Sequence, residues 1–227
     1  SNDGTLLANY PKEYKRVGID PVVKFLPEAR TQADIIINDY FNYDEIKKVV
    51  GDQKFKIITT ISCFYDMADP NSFVSDITKI LDSDGLWVIQ QNYLVGMLTQ
   101  NAFDNIVHEH VFYYSLLSLE SLLKRYGLEV FHVELNDING GSFRTYIRFK
   151  KEQPTNISVL ALRQGEKALG LDNKDIYLRF AKRIESVSQR IHQYVKEGVD
   201  NNKTFYTLSA STRGSTLLQT CKLNNRL

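Results

Sequence analysis

The chain has 227 residues, with 28 basic and 27 acidic side chains and a formal net charge of +1. Such an even balance gives no electrostatic footprint for nucleic acid or for an anionic membrane surface. Hydrophobic residues at 43% and charged residues at 24% are ordinary for a globular chain. No apolar run approaches a membrane span and no N-terminal stretch has the form of a signal peptide, so the cytoplasm is the default location. The two cysteines, Cys63 and Cys221, support neither a disulfide framework nor a zinc site and read as small buried hydrophobes. Thirteen Tyr and twelve Phe stand against one Trp. Runs such as Phe112-Tyr113-Tyr114 are open to two readings, core packing with hydroxyls at the rim or the wall of a pocket.

In chain order, the first half alternates helix and strand signals. Ser1-Asn2-Asp3-Gly4 is a turn that opens a helix expected over 6–15, and 16–19 is a short strand closed by Asp20-Pro21. Proline fits a first helical turn, so 22–29 reads as helix. The apolar run 33–37 has the pattern of a strand buried on both faces. A helix follows over 43–50, closed by Gly51. Residues 55–61 (FKIITTI) are β-branched and read as a central strand. Asp69 or Asn71 can cap a helix running to about Leu81, and Asp84-Gly85 turns into a strand over 86–89. Alternation of this kind implies an α/β fold with a mostly parallel, Rossmann-like sheet, flanking helices, and ligands gathered beyond the carboxyl ends of the strands.

The second half changes character. A helix over 118–126 ends at Gly127. Strands over 128–134 and 142–149, joined at Asn139-Gly140-Gly141, close the sheet and are expected to be antiparallel. After Pro154 apolar residues recur at helical spacing from Ile176 to Val195, the face of a long helix that Gly198 should end. A strand over 204–208, a small-residue loop from Ala210 to Gly214 and a helix from Thr216 read as the start of a second α/β unit. This places a first domain at 1–152 and a helical linker with the opening of another unit at 153–227.

Five segments could carry chemistry. The Gly-containing turn at Asn2-Asp3-Gly4 lets backbone N–H groups approach a ligand, though it is equally an ordinary turn. Asp20, about one helix and one strand later, can accept ribose hydroxyls or cap the helix beginning at Pro21. Ile61-Ser62-Cys63-Phe64-Tyr65-Asp66 follows the most strand-like segment and would lie beside a cofactor. His108-Glu109-His110 holds two of the chain's four histidines. The helical zinc motif spaces its histidines differently and no third ligand has recognisable spacing, so acid–base chemistry suits the triplet better than a metal. Gly140-Gly141 with Arg144 could meet an anion or simply join two strands.

In this order the segments SNDGTLL, GIDP, FDNIVHEHVFYYSLLSLESLLKRYGLEV, NGGSFRTYI and ASTRGSTLLQ resemble the S-adenosylmethionine (SAM) dependent sugar C-methyltransferases, which act on nucleotide-linked 4-keto deoxysugars. The resemblance spans essentially the whole chain, and its specific parts are the His108-Glu109-His110 block and the Gly-Gly-Ser-Phe-Arg segment. It implies a Rossmann-like class I methyltransferase domain with SAM as cofactor and a nucleotide sugar as small-molecule partner. It also implies that an N-terminal zinc module, the first strand and most of the last unit are missing from this sequence, with zinc confined to that module. Val107 stands where the family often has Tyr, and Gln90-Gln91-Asn92-Tyr93 where it often has acid-x-Pro-Tyr.

The chemistry implied is removal of a proton α to a ketone, after which the carbanion carbon attacks the methyl group in line. By the same resemblance His110 is the base, Glu109 polarises or positions it, and His108 is a second candidate. Asn2, Asp3 and Gly4 would contact the methionine end of SAM, with Asp20, Pro21 and Ser62 completing the cofactor site. Tyr93 and Tyr113 would line the sugar pocket, and Arg144, Ser211 and Arg213 would meet the diphosphate. Rival readings are an O- or N-methyltransferase, an inactive SAM- or nucleotide-sugar-binding protein, and an NAD-dependent oxidoreductase that also uses Asp20.

Overall fold

The computed structural model describes residues 2–208 and 211–224. Ser1 and Ala210, which belong to two of the expected loops, lie outside the described residues. Among the described residues no helix is long and apolar enough to cross a membrane. The chain forms two compact units, one running to Lys56 and including Asp69–Gly85, the other holding Ile57–Ala68 and the described residues from Leu86 onward.

In the first unit a short helix α1 (Thr5–Ala8) precedes strand β1 (Val17–Ile19), helix α2 (Leu26–Gln32), strand β2 (Ile35–Ile37) and helix α3 (Tyr43–Val50). Helix α1 is shorter than its sequence suggests. Pro11 has no N–H to donate and disfavours helical backbone in Tyr10 before it, so the chain leaves the helix at Asn9. Strands β1 and β2 pair in parallel, Val17 opposite Ile35 and Ile19 opposite Ile37. Local capping explains where the helices begin. The Asn42 side chain accepts the Glu45 N–H to start α3. Asp69 accepts from Asn71 and Ser72 to start α4 (Pro70–Ile80), with Pro70 in its first turn. The core of this unit is built from Ile37, Ile46 and Val50 with Phe73, Val74 and Ile77, and the Phe41 and Phe73 rings lie 4.3 Å apart.

The larger sheet has the order β3 (Phe55–Ile61), β4 (Leu81–Asn92), β6 (Ser142–Phe149), β5 (Leu128–Asn136). Strand β6 runs antiparallel to both neighbours, Trp87 facing Ile147 across one ladder and Val130 facing Ile147 across the other. The antiparallel closing strands are therefore as the sequence predicts. Strand β3 is not central. Among the described residues it stands at the sheet edge, with Ile57 and Ile61 exposed. Its β-branched composition reports a pleated surface, which an edge strand shares with a central one.

In the second unit, α5 (Leu94–Gln100) leads to α6 (Leu116–Lys124), which starts in a reciprocal capping box between Ser115 and Ser118. Leu116, Leu119, Leu122 and Leu123 form its buried stripe, each such side chain contributing roughly 1.5–3 kcal/mol. They sit in the core with Trp87, Ile89, Phe143, Ile147 and Val159, and the Trp87 indole donates to Thr60 Oγ1 at 2.9 Å. Helix α7 (Ile157–Leu169) is followed by α8 (Lys174–Asp200), whose Ile176 and Phe180 pack with Met97, Leu98 and Phe103.

Two expectations fail in this region. Gly198 does not end α8, which continues to Asp200 and stops at Asn201. A Cβ at this position would stand 2.4 Å from the Phe205 ring, so glycine leaves room for that ring against the helix. Residues 204–208 are not a strand. They pair with no ladder among the described residues, and Tyr206 and Leu208 project into solvent. A strand exists only through its partner. The chain then enters α9 (Thr212–Thr220), capped by Ser211 through the Gly214 N–H.

Candidate functional site

Within the first unit the structure joins two of the predicted cofactor segments. The Asn2 N–H donates to Asp20 Oδ2 at 2.7 Å, and Asp20 Oδ1 accepts the Val22 N–H at 2.9 Å. Burial pushes the Asp20 carboxyl up and these backbone donors pull it down, and the carboxyl lies below the usual carboxylate range. Asp3 accepts the Thr5 N–H at 3.0 Å, and that bond lowers its carboxyl as well. Gly4 is buried at φ 85°, where a Cβ would stand 2.8 Å from Gln32 Cβ, so glycine is needed for close packing against α2. Pro21 is exposed beside this cluster. The donor set suits a nucleoside, because an ionised carboxylate oxygen can accept a ribose hydroxyl in addition to a backbone N–H.

The second unit carries the histidine block. Leaving β3, Ser62 adopts a left-handed backbone (φ 52°) and donates its N–H to the Gln90 carbonyl at 2.8 Å. The turn Phe64–Asp66 that follows grips the histidine segment. The Tyr65 carbonyl accepts the N–H groups of Val111 and Phe112, and the Tyr65 ring meets the His110 ring edge-on at 4.4 Å. His110 Nδ1 lies 2.8 Å from the Asn105 carbonyl oxygen, and the Tyr113 hydroxyl donates to that oxygen at 3.3 Å. Glu109 and His108 are exposed, the former 3.4 Å from Thr212 Oγ1. Asp66 enters the same environment. Burial pushes its carboxyl up, His110 draws it partly back, and Glu109 raises it further, while one of its oxygens is buried without a hydrogen-bond partner.

The residues assigned to substrate divide differently from their sequence order. Tyr93 is buried and its hydroxyl donates to Glu166 at 2.9 Å, which together with burial pushes the phenol well above its usual range. Arg144 donates to Gln90 Oε1 at 2.8 and 2.6 Å and pairs with Glu134 at 3.3 Å, a side chain committed to its own sheet. Gly141 lets the turn approach Gly96 of α5, and Gly140 sits by Arg213, whose Nη2 would be 3.8 Å from an added Cβ. Arg213 gives its Nε and one terminal nitrogen to Asp104, at 2.8 and 2.5 Å, and is only partly covered. Ser211 uses its hydroxyl to cap α9. Sequence reading assigned no role to Asn105, Asp66 or Glu166. The first two lie inside segments already singled out, whereas nothing in the sequence marks Glu166, whose partners are distant along the chain.

A family model described as a methyltransferase domain matches residues 1–133. The chain belongs to that methyltransferase family. SAM is the cofactor of such domains, and the parallel β1–β2 pair and mixed larger sheet suit their α/β fold. A model described as a C-methyltransferase C-terminal domain matches residues 137–227. This methyltransferase chain is 29% identical to the C-methyltransferase NovU of Streptomyces niveus over 229 residues, covering all of the chain and 54% of NovU. It thus spans about half the length of the curated relative it matches. Among solved structures, the N-methyltransferase NodS from Bradyrhizobium japonicum WM9 is 13% identical with a TM-score of 0.48, covering 66% of this chain and 82% of its own. LepI in complex with SAM is 12% identical with a TM-score of 0.49, covering 66% of this chain and 41% of its own.

Proposed function

We propose that the protein is a SAM-dependent C-methyltransferase that acts on a carbon α to a ketone of a nucleotide-linked deoxysugar. The observation that carries this reading is His110. Its ring is anchored through Nδ1, flanked by the rings of Tyr65 and Tyr113, and influenced electrostatically by Asp66. An oriented imidazole next to a partly buried carboxylate suits abstraction of a carbon-bound proton, a step that O- and N-methylation do not need. The similarity to NovU over the whole chain supports transfer to carbon, and the sequence resemblance supports the sugar nucleotide.

In this reading Asn2, Asp3, Gly4 and Asp20 hold the cofactor, which supplies the methyl group, and Pro21 borders it. His110 takes the α-proton. Glu109 positions His110, and Tyr113 orients the base through the shared Asn105 carbonyl. His108, exposed, serves as the alternative base. Arg213 retains N–H donors beyond those spent on Asp104 and is the better placed cation for a diphosphate, with Ser211 at the start of the same helix. Tyr93 and Arg144 support the site from within the fold.

Calorimetric titration should show binding of S-adenosylhomocysteine and none of NAD, and Asp20→Ala should weaken it. Binding of NAD alone would exclude the methyltransferase reading. With S-adenosylhomocysteine present in deuterated water, a nucleotide-linked 4-keto sugar should exchange its α-proton. His110→Gln should slow that exchange by on the order of 100-fold or more. Exchange unaffected by His110→Gln would remove His110 as the base and leave His108 in its place, whereas no exchange in the wild type, or methylation on oxygen or nitrogen only, would remove the carbon-acid mechanism.

A further inference from the structure

Asn105 is almost fully buried and every polar group it owns is in use. Its carbonyl faces His110 Nδ1 at 2.8 Å and accepts from the Val107 N–H at 3.0 Å and the Tyr113 hydroxyl at 3.3 Å. Its main-chain N–H donates to Ala102 at 3.1 Å. Its side-chain nitrogen donates to the Asn139 carbonyl at 3.1 Å, and its side-chain oxygen accepts from Asn92 at 3.2 Å. Asn139 occupies the left-handed region at φ 56°, a conformation asparagine tolerates better than most residues. A carbonyl oxygen can only accept, so the short contact to His110 requires the proton to be on Nδ1. In a neutral imidazole the lone pair is then on Nε2.

We propose that Asn105 is a positioning residue that sets the tautomer of His110. Anchored between the end of β4 at Asn92 and the turn at Asn139, its main-chain carbonyl fixes the proton on Nδ1 and presents Nε2 as the bare, proton-accepting nitrogen. This deepens the assignment of His110 as base and rests on it for its catalytic meaning, but the tautomer is a property of the protein alone. The geometry has the logic of a base held in one form by a group that never touches substrate. It also gives the Asn139-Gly140-Gly141 turn a task at the base: its Asn139 carbonyl clamps the residue that orients the imidazole.

The test is a long-range proton–nitrogen correlation spectrum of the full chain labelled at its histidines, recorded at alkaline pH where imidazoles are neutral, with His110 assigned by loss of its signals in His110→Gln. The expected pattern for His110 is a pyrrole-type Nδ1 and a pyridine-type Nε2. In Asn105→Ala, and to a smaller extent in Asn92→Ala, that single pattern should give way to averaged shifts of mixed tautomers, and α-proton exchange should slow while S-adenosylhomocysteine affinity is kept. If Asn105→Ala does not fold, Asn92→Ala decides. A wild-type His110 protonated on Nε2, or an unchanged pattern in the folded variants, would overturn the proposal. A correct tautomer without any α-proton exchange would leave the positioning intact and remove only the reading of His110 as a base.

Discussion

Burial raises the Asp66 carboxyl, His110 partly opposes the rise, and Glu109 adds to it. A carboxyl whose folded value lies above its unfolded one binds its proton more tightly in the folded state. The stability it contributes is complete below the unfolded value, about 3.9, and is lost as pH rises through the folded value. Asp66→Asn should therefore lose less stability than the wild type as pH climbs from about 4 toward neutrality. Urea unfolding at a series of pH values measures this, and parallel curves for the two proteins would contradict it. Gly4 offers a second test at this scale. A methyl group there meets Gln32 Cβ at 2.8 Å on a backbone at φ 85°. Gly4→Ala should cost about 2–4 kcal/mol, the sum of a left-handed alanine and an overpacked contact. The same change should weaken S-adenosylhomocysteine binding, since the turn it distorts carries the Asn2 N–H to Asp20.

Helix α6 shows how an element is held from outside its own sequence. Its capping box is legible in Ser115 and Ser118, but its first two N–H groups go to a residue near the end of α7. Glu166 is buried and accepts from Leu116 at 2.6 Å, from Leu117 at 2.8 Å and from the Tyr93 hydroxyl at 2.9 Å. A negative side chain at a helix N-terminus is favoured by the orphan N–H groups and by the helix dipole. Removing it strands two buried donors and one half-buried one, so Glu166→Ala should destabilise the protein by roughly 3–5 kcal/mol. Glu166→Gln, which keeps an acceptor, should cost markedly less. A denaturation midpoint for Glu166→Ala close to that of the wild type would show that the cap is not needed. For α4, Asp69→Ala removes a cap of two N–H bonds and should cost about 1 kcal/mol by the same measurement.

For the molecule as a whole, the near-equality of acidic and basic side chains predicts indifference to polyanions. The chain should pass a heparin column unretained at about 0.15 M salt, and tight retention there would require a basic surface that its composition does not supply. The elements most readable from sequence were those with local causes. The sequence located α3, α4 and the antiparallel pair β5–β6 to within a few residues, because capping asparagine, aspartate and glycine and an alternating apolar pattern act within a few residues of themselves. It also singled out the stretch 103–114 and Asp20 as chemically unusual, since two histidines about a carboxylate, or an acid at a strand end, show in the residue types alone. Where an element depends on a distant partner the reading failed. Residues 204–208 have strand composition but no ladder among the described residues, Gly198 leaves room for Phe205 instead of ending α8, and β3 looks central but stands at an edge. The same divide runs through the candidate site. Sequence determined which side chains could do acid–base chemistry and that methyl transfer was the chemistry to look for. Only tertiary structure decided that Arg144 and Tyr93 are tied into the fold, that Gly140 meets Arg213, and that Asn105 orients His110. Hydrogen bonds between residues tens of positions apart depend on how strands and helices are brought together, and no local pattern of residues records that.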